Sequence, residues 1–138
     1  KNTRNLNSNN VQDHILGYLP VNDVTVENIE NRDHHLARSK SPDSYCPIGE
    51  AINTNYNFVS KNIYSYHNNV LLRKGNTNQM IWKPYDILLN VTKWITLNQG
   101  DLILSGAPKR VRRRMFLKSG DTFTVKIDGF QKLENKFF

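Results

Sequence analysis

A chain of 138 residues with one cysteine, Cys46, has room for a single domain with its own core and cannot form an internal disulfide. No segment reads as a secretory leader and the apolar runs are far too short to span a bilayer, so a cytoplasmic protein off the membrane is expected. The formal net charge of +7 invites a nucleic-acid partner, but no zinc-ligand spacing, helix-turn-helix pattern or aromatic RNA-binding signature accompanies it, so that partner is not expected.

Val11 to Leu16 is a short helical candidate. Tyr18 to Val24 reads as a strand that ends at Asp23, and Asn28 to Leu36 as a polar irregular stretch or a short helix. Asn62 to Tyr66 alternates apolar and polar residues, and Val70 to Arg73 follows. Asn68-Asn69 between them tolerates the positive φ of a tight hairpin turn. Pro84 to Leu97 is the principal helix, with proline suited to its first turn. Ile87, Leu88, Val91, Trp94 and Ile95 recur with helical spacing and predict one buried face; Gly100 closes the segment. Leu102 to Leu104 reads as a short buried strand. Thr122 to Ile127 alternates, Asp128-Gly129 turns, and Phe130 to Lys136 returns as the hairpin partner. The predicted fold class is therefore mostly β (α+β), with one main helix near 84–97.

Few residues announce chemistry on their own. Asp23 taken singly reads as a turn or cap residue, and Lys40, in Arg38-Ser39-Lys40-Ser41, as a surface lysine. Together, an acid and an amine beside a strand end suit a divalent-metal site for an oxo acid. His34 and His35 are adjacent, point differently and lack a third ligand, so they read as loop residues. Cys46 precedes Pro47 in an apolar setting and is expected to be packed rather than nucleophilic. No nucleophile elbow, P-loop or dinucleotide fingerprint occurs. Much of the basic excess lies in Lys109, Arg110, Arg112, Arg113, Arg114 and Lys118. That run reads either as a solvated loop or as arginines that fork onto carboxylates.

Several motifs in register resemble the fumarylacetoacetate hydrolase family. Its GY-x-x-x-NDV-[ST] strand appears as Gly17-Tyr18 with Asn22-Asp23-Val24-Thr25, and its RD as Arg32-Asp33. Its [RK]-x-KS-x-D-x-[FY]-CP-[LI]-G run appears as Arg38 through Gly49. Gly75-Asn76-Thr77 with Met80-Ile81, Thr96-Leu97 with Gly100-Asp101, and Gly120-Asp121 continue the match, which ends at Gly129-Phe130 to Asn135. Ser105-Gly106-Ala107-Pro108 stands where the family has TGTP.

The resemblance implies a mixed β-sheet roll, usually dimeric, that binds Mg²⁺ or Mn²⁺ and acts on small-molecule 2-oxo acids. The reactions it implies are enol–keto isomerisation and decarboxylation, with acylpyruvate hydrolysis and oxaloacetate decarboxylation as alternatives. The ending GFQKLEN is similar to the branch that handles 2-hydroxyhepta-2,4-diene-1,7-dioate and 5-oxopent-3-ene-1,2,5-tricarboxylate in aromatic catabolism. By resemblance, Asp23 maps onto one of three carboxylate metal ligands and Lys40 onto the catalytic, substrate-orienting lysine beside the metal. Thr77 maps onto a substrate-pocket residue. The family's other two ligands, a Glu-x-Glu pair, would lie just upstream of Lys1. A single domain over residues 1–138 that lacks the family's N-terminal strands is therefore expected, with an incomplete metal site and little activity, either as a fragment or as a decayed relative. Ala107 replaces a hydroxyl donor in the TGTP position, and Arg110, Arg112 and Arg113 follow where glycines are common. These arginines are expected to bind an extra substrate carboxylate.

Overall fold

The computed structural model describes residues 2–27 and 34–138; the Arg32-Asp33 motif and most of the Asn28–Leu36 stretch lie outside the described residues. The architecture is β-rich with few helices, as the sequence suggests. Four strands, β1 (Asn62–His67), β2 (Val70–Asn76), β3 (Thr122–Ile127) and β4 (Leu133–Lys136), form one antiparallel sheet in the order β2-β1-β3-β4.

Turn chemistry sets the register. Asn68 and Asn69 adopt φ of 47° and 65°, the geometry of a two-residue hairpin whose twist matches its strands. His67 and Val70 pair directly across it. A bulge between Ser65 and Tyr66 shifts the pairing so that Leu72 is the extra residue on β2. The β3–β4 hairpin turns at Asp128-Gly129. Gly129 has φ of 88°, and a Cβ there would sit 2.9 Å from the Tyr56 ring, so glycine is required twice over. The Asp128 carboxylate accepts from both the backbone and the side-chain amide of Asn62, each at 2.9 Å, which ties this turn to the start of β1. At the other end of the sheet His67 Nε2 meets Asp121 Oδ2 at 2.7 Å, and Asn68 donates to Asp121 Oδ1 at 2.7 Å.

Helix α2 spans Pro84–Val91, shorter than expected. Proline opens it, and the Asp86 carboxylate accepts the Lys83 N–H at 3.0 Å. Its end is a tertiary event. Thr92, fully buried, accepts from Asn5 N on its carbonyl (2.9 Å) and from Leu6 N on its hydroxyl (3.2 Å). With that carbonyl taken, the chain tightens into a turn. Ile87, Leu88 and Val91 are only half-buried, and Trp94 and Ile95 emerge 77% and 56% exposed, so the expected buried face does not form. Leu102 to Leu104 is likewise not a buried strand: the segment joins no ladder, and its side chains are 39–47% exposed. Val11 to Leu16 forms only a 3-10 turn, Val11–His14.

The expected Tyr18–Val24 strand is extended but discontinuous, with isolated bridges Tyr18↔Asn53 and Val21↔Ile48. Pro20 and Pro47 lie on the two facing segments, and each removes a ladder donor. The core is small. Leu6, Val11, Leu72, Leu97 and Val125 are its buried apolar residues among those described, while many large apolar side chains, Trp82 and Phe116 among them, stay exposed.

Candidate active site

The segment after Pro20 runs alongside residues 39–47. Asn22 N donates to Pro47 O at 3.0 Å, Val24 N to Tyr45 O at 3.1 Å and Val26 N to Ser39 O at 3.0 Å. Extended backbone sends alternate side chains to opposite sides. Asn22 is buried and donates from Nδ2 to Asn135 Oδ1 at 3.1 Å, which moors the segment to β4. Asp23 and Thr25 then face the other way, towards Lys40.

Lys40 closes the one-turn helix α1 (Ala37–Lys40), which begins after Leu36 in a left-handed conformation. Its Nζ donates to Asp23 Oδ2 and, at 3.3 Å, to Thr25 Oγ1. The two charged side chains are 36% and 49% exposed, so the pair is open to water and to a ligand, and contributes little to stability. Thr25 joins this cluster to a cavity of about 1140 Å³ lined also by Tyr45, Cys46, Arg110, Arg114 and Glu134.

Close backbone approach sets the cavity's arginine wall. A Cβ on Gly75 would lie 2.6 Å from Cβ of Pro108, so only glycine lets the 105–108 loop settle on β2. Arg73 Nη1 donates to the Pro108 carbonyl at 2.7 Å, Arg73 bridges Arg110, and Val111 N donates to Leu72 O at 2.8 Å. The Arg73 guanidinium is pushed below its ordinary pKa by burial first, then by the charges of Arg110 and Arg114.

Of the residues singled out in the sequence, Asp23 and Lys40 meet directly, and Arg110 lines the adjoining cavity. Arg112 does not line it. Ala107 is exposed beside Pro108. Thr77 is buried; its hydroxyl accepts from Lys61 N at 2.9 Å and donates to Phe58 O at 2.5 Å, so it is engaged in joining the start of β1 to the end of β2. Cys46 is not packed away as expected: it is exposed and lines the cavity. The alternation along 45–49 that turns Tyr45 and Pro47 inward turns Cys46 outward. Sequence reasoning gave no separate role to Thr25 or Arg114. The i, i+2 spacing from Asp23 could have flagged Thr25; no local signal distinguishes Arg114 from Arg112.

The donor set does not make a complete divalent-metal site. Among the described residues no group of three or more His, Cys, Asp or Glu side chains gathers, and Asp23 is the only carboxylate in the cluster with Lys40, whose ammonium already engages one of its oxygens. Mg²⁺ and Ca²⁺-sized ions take about six oxygen ligands.

The family model described as the fumarylacetoacetate (FAA) hydrolase C-terminal region matches residues 1–138. The chain is 29% identical over 150 aligned residues to the mitochondrial oxaloacetate tautomerase fahd2 of Xenopus laevis, covering 98% of this chain and 45% of that protein. A fumarylacetoacetate hydrolase from Exiguobacterium antarcticum superposes with a TM-score of 0.92 at 29% identity, over 99% of this chain and 52% of the other. A 2-hydroxyhepta-2,4-diene-1,7-dioate isomerase from Mycobacterium marinum superposes with a TM-score of 0.87 at 27% identity, over 99% and 53%. The chain spans about half the length of the curated relatives it matches.

Proposed function

This chain belongs to the fumarylacetoacetate hydrolase family, and on that premise we propose that it serves the enol–keto isomerisation of a 2-oxo dicarboxylic or tricarboxylic acid. The observation that carries the reading is the Asp23–Lys40–Thr25 cluster at the rim of an arginine-lined cavity. Moving a proton beside a 2-oxo group puts negative charge on its oxygen. A fixed cation stabilises that charge more than it does the neutral ketone. Lys40 supplies the cation, and Asp23 and Thr25 hold its Nζ in place. The oxaloacetate tautomerase and the dioate isomerase among the similar proteins support an enolisable dicarboxylate as the substrate class.

Members of the family generally use a divalent metal. The described residues offer it a single carboxylate in this cluster, Asp23. The same observation favours a second reading, a member of the family that keeps the fold without activity. The exposed apolar residues Leu102, Ile103, Leu104 and Phe116 support a homodimer, which light scattering on the purified chain tests directly.

The test of function is the decay of enol absorbance with oxaloacetate and a 2-hydroxydienedioate, with and without added Mg²⁺ or Mn²⁺. Lys40→Ala is expected to lower turnover on the order of 100-fold, the range found when one charge-stabilising donor is removed. Unchanged turnover in that variant would reject the role of Lys40. Absence of turnover in the wild-type chain under every metal condition would favour the inactive reading.

A further inference from the structure

Three arginines meet at one edge of the sheet, none of them paired with a described carboxylate side chain. Arg73 lies on β2 and is bridged to Arg110, while Arg110 and Arg114 both line the cavity. Among the described residues none of the three forms an ion pair with Asp or Glu. Two carboxylate side chains do line the cavity. Glu134 is engaged by Lys132 and Thr124, each at 3.0 Å, and Glu27 shares the lining with Lys136. The arginines feel one another: burial and then the charges of Arg110 and Arg114 depress the pKa of Arg73. Like charges so placed repel, and an anion between them relieves the repulsion.

The backbone prevents the wall from simply splaying apart. Gly75 lies against Pro108, Arg73 holds the Pro108 carbonyl, and Val111 is hydrogen bonded to Leu72. Arg110 is thus fixed against β2 with its side chain at the cavity. Thr25 lines the same cavity and accepts from Lys40 Nζ at 3.3 Å, so the Asp23–Lys40 pair adjoins the arginine-lined space through Thr25.

We propose that Arg110 and Arg114, backed by Arg73, form a subsite for the carboxylate remote from the reacting end of a polycarboxylate substrate. This rests on the isomerase reading above and deepens it. It also departs from the set suggested by the sequence, since Arg112 and Arg113 do not line the cavity. Guanidinium suits the task because its planar fork donates two parallel hydrogen bonds to one carboxylate, which a lysine cannot do. Inorganic phosphate shares this chemistry, so the experiment has to separate the two sources.

Calorimetric titration of the wild-type chain with propane-1,2,3-tricarboxylate, pyruvate and inorganic phosphate makes that separation. The tricarboxylate is expected to bind more tightly than either of the others. Arg110→Gln and Arg114→Gln should each weaken it roughly tenfold, and the double variant by more, in keeping with the loss of a charged hydrogen bond. Pyruvate binding should stay unchanged, and Arg112→Gln should bind like wild type. Both arginines are exposed, and matching thermal melts confirm that the variants fold. Equal weakening by Arg112→Gln would show a diffuse basic surface and overturn the proposal. So would phosphate binding in preference to the tricarboxylate. If the double variant turns over a 2-oxo dicarboxylate with unchanged KM, the subsite fails and the isomerase reading stands. If the wild type turns over nothing yet holds the tricarboxylate through Arg110 and Arg114, the isomerase reading fails and the anion site itself survives.

Discussion

The four-stranded sheet and the segments that carry the candidate site are built on different terms. Residues 62–76 and 122–136 pair through multi-residue ladders, one of them bulged, that turn at Asn-Asn and Asp-Gly. Residues 18–26 and 39–53 are joined by single bridges and spaced backbone bonds, with a proline on each side. The sheet buries side chains such as Leu72 and Val125, whereas the site keeps Asp23 and Lys40 half open to water. The laddered sheet thus holds loosely laddered segments whose charged side chains remain reachable, a division common where loops carry chemistry.

That contrast can be broken in order of expected effect. Leu72→Ala, on the bulged strand, should destabilise the fold by about 3 kcal/mol through lost burial and a residual cavity, measured by urea denaturation. A loss below about 1 kcal/mol would mean the sheet is not the stabilising element. Asn69→Val should cost about 1–2 kcal/mol because a β-branched residue is forced to positive φ, while Asn69→Gly should be close to neutral. An equal effect of the two substitutions would remove the turn from the account. Lys40→Ala, by contrast, should change stability by only about 0.5 kcal/mol while it abolishes most turnover. A large stability loss there would erase the distinction between scaffold and site.

Acid sharpens the comparison further. Asn68, the Lys118 N–H and His67, in that order, hold the Asp121 carboxyl at about 2, below its ordinary value. A carboxyl whose folded pKa is depressed binds fewer protons folded than unfolded. Its stabilisation is present above the ordinary carboxylate range and is lost as pH falls towards 2. Denaturation at pH 6, 4 and 2.5 should therefore show weakening that is smaller in Asp121→Asn. Parallel pH profiles for the two proteins would remove Asp121 from the acid response.

Where an element depends on its own neighbours, the residues disclosed it. The Asn68-Asn69 and Asp128-Gly129 turns and the Pro84 helix start all lie where short-range backbone preferences put them. The end of α2 was not legible, because Thr92 is captured by Asn5 and Leu6, residues more than 80 positions away in the chain. Leu102 to Leu104 carries a strand pattern, yet no described strand pairs with it. A pattern states a need for burial without supplying a partner.

The site divides along the same line. The NDVT and RSKS motifs carried Asp23 and Lys40 and the family with them, because residue identity and spacing along the chain are enough to recognise a motif. The place of Arg110 at the cavity was decided by Gly75 meeting Pro108 and by the Arg73–Arg110 bridge, contacts some 35 residues apart. Position along the chain does not encode such meetings, so Arg114 rather than Arg112 emerged only once the sheet and its edge were folded together.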